Sequence, residues 1–568
     1  MADQKSAVLD VIVVGAGFAG LYLLHRLRTL GFRTLVIEAA DGVGGTWYWN
    51  RYPGARCDVE SMAYSYSFSE TLEQDWVWTE RYAAQPEILA YANHVTDRFG
   101  LREHIRFNTR VASACYSSTN DLWTLASDQG LTFDARFVVM ALGCLSAPHR
   151  PEIPGLGEFA GECYHTGYWP HQEVDFRGKT VGVIGTGSSA VQAVPLIAEQ
   201  AKHLHVFQRT PNFSIPAWNG PLDKNNERYW KENYPTLRAQ SKRTSSGILN
   251  MDSDHCAAEM SPDEQQKELE RRWQHGGLIM WNAFQDLMTD AASNELAASF
   301  VRRKIREKVK DRKTADLLCP ENHPLGSKRL CVDSGYYETF NRENVTLIDI
   351  RCDPIETITA LGLRTGHQSY DLDVLVLATG FDAMTGPMLK IDIRGRAGTR
   401  ISEKWSDGPR TYLGLAMAEF PNLFIVTGPG SPSVLSNVLL AIEQHVDWIS
   451  DCLCYMRSTG FDIIEASRKA EDDWVRHVND VASPTLYTHS DSWYMGANIP
   501  GKPRAFMPYV GGAANYRDFC DEVSDQDYAG FTMSKSAATG HENTVVSPKG
   551  PTSTDSQTSR QPRSNPAS

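Results

Sequence analysis

Two stretches of this chain repeat one pattern, and that repeat constrains the fold more than any other feature. Residues 9–38 run Leu-Asp-Val-Ile-Val-Val, then Gly15-Ala16-Gly17-Phe18-Ala19-Gly20, then a helix-like segment to Phe32, then an apolar run closing on Glu38. Residues 179–210 repeat the order with Gly185-Thr186-Gly187-Ser188-Ser189-Ala190 and a second apolar run closing on Gln208, Arg209 and Thr210. Each is a strand–turn–helix–strand unit, and each predicts a dinucleotide site. The first glycine permits a tight turn and the second admits a pyrophosphate to the backbone amides. The third small residue packs helix on strand, and the helix N-terminus faces the phosphate charge.

The ends of the two units differ. Glu38 stands 23 residues after Gly15, where a carboxylate accepts hydrogen bonds from a ribose diol. The same count from Gly185 reaches Gln208, with Arg209 beside it. The carboxylate that would repel a 2′-phosphate is missing, and a guanidinium that can grip one is present. The first site is therefore read as an FAD site and the second as an NADPH site, with the two cofactors as hydride acceptor and donor.

The expected architecture is α/β, with two Rossmann-like dinucleotide-binding domains and an inserted helical subdomain. The FAD domain takes residues 1–145 and 382–532, and the NADPH domain takes 146–218 and 327–381. An apolar strand ending at Gly143 has a matching counterpart far downstream, ending at Gly380. In 219–326, Leu269, Trp273, Ile279, Trp281, Phe284 and Leu287 recur at helix-like spacing among charged residues. After Phe531 there are no aromatics, and residues 533–568 read as a disordered tail.

Composition narrows the partners. The net charge is −13 with no long basic block, which argues against nucleic acid or an anionic membrane surface. No apolar run reaches the roughly 18 residues of a membrane helix. The start lacks the basic-then-apolar pattern of a signal peptide, so the cytoplasm is the expected compartment. Eleven cysteines include no CxxC pair, which disfavours a disulfide reductase and suggests neither a zinc site nor any other metal site. A monomer is expected.

Two longer patterns carry a family resemblance. Phe159, Gly161, His165 and Trp169-Pro170 follow the order FxGxxxHxxxWP. Gly44-Gly45-Thr46-Trp47 and Tyr52-Pro53-Gly54, closing on Asp58, follow GGxWxxxxYPGxxxD. Both resemble the fingerprints of the Baeyer–Villiger monooxygenases, class B flavoproteins that convert ketones to esters or lactones with NADPH and molecular oxygen. The resemblance runs from Asp10 to Asp527 and is nearest the phenylacetone, cyclohexanone and steroid monooxygenase branch.

It implies a set of site residues. For FAD these are Gly15, Gly17, Phe18, Gly20, Glu38, Gly45, Thr46, Trp47, Asp58, Tyr64 and Val111. For NADP they are Arg56, Gly185, Thr186, Gly187, Ser188, Ser189, Ala190, Arg209, Thr210, Lys328, Arg329 and Trp493. Cys144, Leu145, Ser433, Val434 and Val438 are the implied substrate pocket, with room for a bulky ketone. Asp58 and Arg329 are the implied catalytic pair. A C4a-peroxyflavin attacks ketones as an anion, and a fixed guanidinium lowers the peroxide pKa and holds the negative adduct. Arginine suits this because it stays charged when partly desolvated, and Asp58 would orient it. His165 reads first as a residue keeping the linker in register, with a part in domain motion as the alternative. Trp169 reads as packing.

Two other functions fit parts of the pattern. An amine- or sulfur-oxidising flavin monooxygenase would share both glycine units but would not be expected to carry the Trp47–Asp58 stretch or Lys328-Arg329. A non-enzymatic flavin-binding regulator would not consume NADPH in response to a ketone.

Overall fold

The computed structural model describes residues 8–536. The first glycine unit builds an eight-stranded sheet. Leu9–Val14 lies at its centre between Thr34–Ile37 and Thr132–Met140, parallel to both. Thr132–Met140 is shared. Its first half pairs antiparallel with Leu122–Ser127, and its second half pairs parallel with Leu423–Ile425. The last of these returns from some 280 residues downstream, so this sheet is completed by a distant part of the chain.

Val11, Ile12 and Val13 are wholly buried, as a strand covered on both faces requires. The helix Phe18–Thr29 is buried between the sheet and the helix Val438–Thr459, with Leu21, Leu23, Leu24 and Leu27 all inside. Gly20 is where it comes closest. A Cβ there would sit 1.9 Å from the carbonyl oxygen of Gly15, so the turn and the helix can pack only if this residue is glycine.

The second glycine unit builds a separate, all-parallel sheet of five strands. Their order is Val345–Asp349, His203–Gln208, Thr180–Ile184, Val374–Leu377, Glu162–His165. Between the two strand groups, four helices carry residues 219–326: Lys224–Ser241, Pro262–His275, Ala291–Lys308 and Arg312–Leu318. Each opens on a side chain that caps its free backbone N–H groups, namely Asp223, Ser261, Asp290 and Asp311. Leu269, Trp273, Ile279, Trp281, Phe284 and Leu287 are all buried in the main core. Among the described residues no helix is long and apolar enough to cross a membrane.

The chain crosses twice between the sheets, and the two crossings lie side by side. His149 donates its N–H to Gly380 (2.9 Å), Asp382 to Ala147 (2.8 Å) and Met384 to Cys144 (2.8 Å). His165 ties this ribbon down. Its Nδ1 accepts the N–H of Gly167 (3.0 Å), which leaves the proton on Nε2. Nε2 faces the His149 carbonyl at 3.1 Å and Thr379 Oγ1 at 3.2 Å. Trp169 is buried against Phe176 and Tyr164.

The expected tail boundary needs correction. Phe531–Ser534 is a strand antiparallel to Ile463–Ala466, with Phe531 and Met533 buried, so a boundary at 533 would cut it. A four-residue strand with one apolar face was hidden by its polar neighbours. The rest of the expected tail, 537–568, lies outside the described residues. Ending the chain at Gly530 should therefore lower the melting temperature by several degrees. Two buried apolar side chains are lost, each worth about 1.5–3 kcal/mol. An unchanged thermal scan would show that this strand adds nothing.

Candidate active site

Both glycine units open onto one continuous cavity of about 1140 Å³. That is large for a single small ligand, and its lining has two arms. In the first arm lie Gly15, Gly17, Phe18, Glu38, Gly45, Thr46, Trp47, Tyr64 and Val111. Glu38 accepts the N–H of Ala16 at 2.6 Å and of Ala40 at 2.8 Å. Burial raises its pKa against the pull of these amides. Trp47 donates to the Tyr64 hydroxyl at 3.1 Å. Gly20 is not on the wall but packed beneath it, as its contact with Gly15 requires.

In the second arm lie Gly185, Thr186, Gly187, Ser188, Ser189, Arg209, Thr210, Lys328 and Trp493. Ala190 is fully buried behind them. Gln208 is also fully buried and donates to the Leu317 carbonyl (2.7 Å), so it is Arg209 that faces the cavity. Burial lowers the Lys328 pKa, and the charge of Arg209 lowers it further, while Asp491 pulls the other way. Among the described residues neither cation has a carboxylate within ion-pair distance. Two like charges held together without an anion make a site for one.

Asp58 and Arg329 link the two groups of lining residues, since Arg329 follows Lys328 and both charges lie close enough to act on Tyr64. The loop after Gly54 delivers Asp58, and the segment before the strand Cys331–Asp333 delivers Arg329. Arg329 Nε and Nη2 both donate to Asp58 Oδ2, at 3.0 and 2.5 Å, and Nη1 donates to the Val434 carbonyl at 2.7 Å. Each side chain keeps 22% of its surface exposed, so the pair is reachable from the cavity. Burial works against the guanidinium's charge, but the Asp58 carboxylate outweighs it and the Arg329 pKa is raised. The cation is fixed in place and fixed in charge.

Several contributors carry no signal of their own in the sequence. Asn212 donates to the Arg329 carbonyl at 3.3 Å. The buried Tyr494 hydroxyl lies close to Arg329 and feels the charges of both Arg329 and Asp58. Its position next to Trp493 is the only hint the sequence offers. Gln192, on the helix Ser188–Gln200, accepts from Tyr52 (2.9 Å) and donates to the Arg56 carbonyl (3.1 Å).

This last contact joins the two halves. Gly54 has φ +80°, and a Cβ there would meet the Gln192 carbonyl oxygen at 2.3 Å. Gly54→Ala should force the halves apart while leaving FAD bound. Reduction of the flavin by NADPH should slow roughly tenfold or more, since small misplacements of reacting groups are costly. Stopped-flow reduction at unchanged flavin content checks this, and an unchanged rate would refute it.

Two expectations change. Ser433 is wholly buried and does not line the cavity. The short 3₁₀ turn Ser433–Leu435 rotates it inward and leaves Val434 and Ser436 on the wall. Cys144, Leu145 and Val438 do line it. Arg56 also reaches the cavity, but its guanidinium is already matched by Glu80 (2.7 Å) and the Tyr82 carbonyl (3.0 Å).

The residues present fit the two cofactors. Glycine-lined turns at the carboxyl edge of each sheet, a buried acid in one arm and two unpaired cations in the other, match a flavin and a phosphorylated nicotinamide dinucleotide. Such a fold and site define a flavin- and nicotinamide-dependent oxidoreductase.

Comparison with known proteins agrees and goes further. Residues 12–228 match the family model described as pyridine nucleotide-disulphide oxidoreductase. A Baeyer–Villiger monooxygenase of Pseudooceanicola batsensis is 40% identical over 535 residues, covering 94% of this chain and 97% of the relative. A phenazine N-monooxygenase of Lysobacter antibioticus is 40% identical over 537 residues, covering 94% and 98%. An oxidised steroid monooxygenase bound to NADP superposes with a TM-score of 0.89 at 50% identity, covering 93% of this chain and 99% of that one. The chain belongs to the Baeyer–Villiger monooxygenase family, and it is an FAD- and NADPH-dependent monooxygenase.

Proposed function

We propose that this enzyme uses molecular oxygen to insert an oxygen atom beside the carbonyl of a bulky ketone, giving an ester or lactone. The observation that carries the reading is the Asp58–Arg329 pair that links the two arms. Flavin bound in the first arm supplies the two-electron chemistry that activates oxygen. Arg329 stabilises the negative charge that develops on the oxygens during attack on the carbonyl, because its charge is already in place and needs no reorganisation. Asp58 holds the guanidinium in one orientation and keeps it protonated. Arg209 and Lys328 take the 2′-phosphate of NADPH, and Trp493 borders the nucleotide. Cys144, Leu145, Val434 and Val438 line the substrate pocket, and their modest size leaves room for an aryl or polycyclic ketone.

The enzyme is further read as a cytoplasmic monomer whose FAD half comprises residues 1–145 and 382 to the end of the last strand. Its NADPH half comprises 146–218 and 327–381, with 219–326 as the helical insertion.

A second reading, oxidation of a ring nitrogen, is favoured by the phenazine N-monooxygenase relative. One panel separates the two. Aryl, cyclic and polycyclic ketones, a phenazine and a thioether are each supplied with NADPH, and oxygen uptake and products are followed. Ester or lactone from a ketone, matched to NADPH consumed, is the expected result. N-oxide formation with every ketone inert would overturn the reading.

A further inference from the structure

We propose that His445 is a positioning residue for the flavin, holding Thr427 in a left-handed backbone conformation that shapes the cavity wall at the flavin end. The proposal rests on the reading that FAD occupies the arm between Gly15 and Glu38.

Thr427 stands two residues after the end of the strand Leu423–Ile425. Val426 donates to the Met140 carbonyl (3.0 Å), and Ala141 donates to that of Val14 (2.9 Å), which sets Thr427 on the same carboxyl edge as the Gly15 turn. It lines the cavity, and its φ is +54°. A β-branched residue adopts this conformation only where its surroundings impose it, and such strain gathers at functional sites.

The imposing contact is visible. Thr427 donates its N–H to His445 Nδ1 at 2.9 Å. His445 Nε2 lies 2.9 Å from the Tyr516 hydroxyl, which itself donates to the Leu413 carbonyl at 2.5 Å. Nδ1 accepts and the tyrosine proton is engaged elsewhere, so Nε2 must donate to the tyrosine oxygen. One tautomer satisfies every group, and no alternative arrangement competes.

Leu413 is left-handed as well, at φ +57°, so the chain of bonds braces two strained residues against each other. Thr427, His445, Tyr516 and Leu413 are all buried, where a fully satisfied polar network is rigid. Burial, with the Arg517 guanidinium adding to it, pulls the imidazole pKa down to about 3 and keeps it a neutral acceptor.

The helix Val438–Thr459 that carries His445 also carries Asp447, which accepts from Tyr22 on the first glycine helix at 2.6 Å. One helix thus sets the Thr427 wall relative to the helix that opens the flavin arm.

The test titrates apo-protein with FAD and follows flavin fluorescence and the visible spectrum of the bound flavin. His445→Leu should raise the FAD Kd by about tenfold or more and change the spectrum. His445→Asn, which can keep an acceptor in the place of Nδ1, should stay within about threefold of the parent. Adding Thr427→Gly to His445→Leu should restore affinity, because glycine is left-handed without support. A parental Kd in His445→Leu, or a loss that neither rescue reverses, overturns the proposal. Tyr516→Phe removes one oxygen and covers the case in which His445→Leu does not fold. Weaker FAD binding restored by Thr427→Gly supports the proposal, and an unchanged Kd overturns it. Glu38→Gln is measured alongside. Loss there with none in His445→Leu overturns this proposal alone, whereas loss in neither overturns the placement of FAD and this proposal with it.

Discussion

Arg329→Ala should leave FAD bound and reduce ester formation by roughly 10³-fold, because losing one preorganised stabiliser of developing negative charge costs about 3–4 kcal/mol. Flavin is retained because the Gly15 turn and Glu38 lie in a different part of the cavity wall from the Asp58–Arg329 pair. Reduction by NADPH should slow less than oxygenation, since the guanidinium links the two arms but donates no electrons. The NADPH still consumed should appear as hydrogen peroxide. A second effect follows from the bond between Nη1 and the Val434 carbonyl. Freeing that wall of the pocket should raise the KM for ketone as well. Arg329→Lys keeps the charge but cannot serve Asp58 and Val434 together, so it should fall between the parent and the alanine variant. Stopped-flow reduction, peroxide assay and ester quantification separate these effects. Ester formed at the parental rate per reduced flavin would remove Arg329 from the mechanism and make Lys328 the next candidate.

Arg209→Ala should raise the KM for NADPH by roughly 10- to 150-fold while barely changing the use of NADH. A charge-assisted hydrogen bond to a phosphate is worth about 1.5–3 kcal/mol, and NADH has no phosphate there to lose. Lys328→Ala should act in the same direction, because the two cations face one space and share its anion. The double variant should then lose less than the sum of the two losses, since removing one cation relieves the repulsion on the other. Equal losses with both nucleotides would mean that Arg209 supports the fold, and a preference of the parent for NADH would refute the assignment outright.

Much of this molecule could be read before any coordinates. The two glycine units announced themselves because their chemistry is local, with turn, helix N-terminus and strand end lying within some 25 residues. The count from Gly185 to Gln208 found the missing carboxylate for the same reason. Asp58 and Arg329 entered only through resemblance. They lie 271 residues apart, and no spacing rule says that they touch. No spacing places Ser433, because one step along a 3₁₀ turn decides which side chain meets the cavity and which the core. Gln192 and Asn212 leave no trace, since each reaches a backbone group 136 or 117 residues away. His445, 18 residues from Thr427, leaves none because no local pattern marks a histidine that accepts a loop N–H. The strand Phe531–Ser534 escaped because a tail rich in small polar residues begins where it ends.

The ribbon at the two crossings bears on how such enzymes can exchange parts. Cys144 to His149 and Gly380 to Met384 are bonded to each other at three places, so two joints behave as one. Splicing in a foreign nicotinamide-binding half at a single joint would pair one parent's crossing with the other's, with His165 reaching both. Because the three bonds join backbone groups, a working hybrid has to keep the length and register of both crossings and a hydroxyl at position 379 for His165.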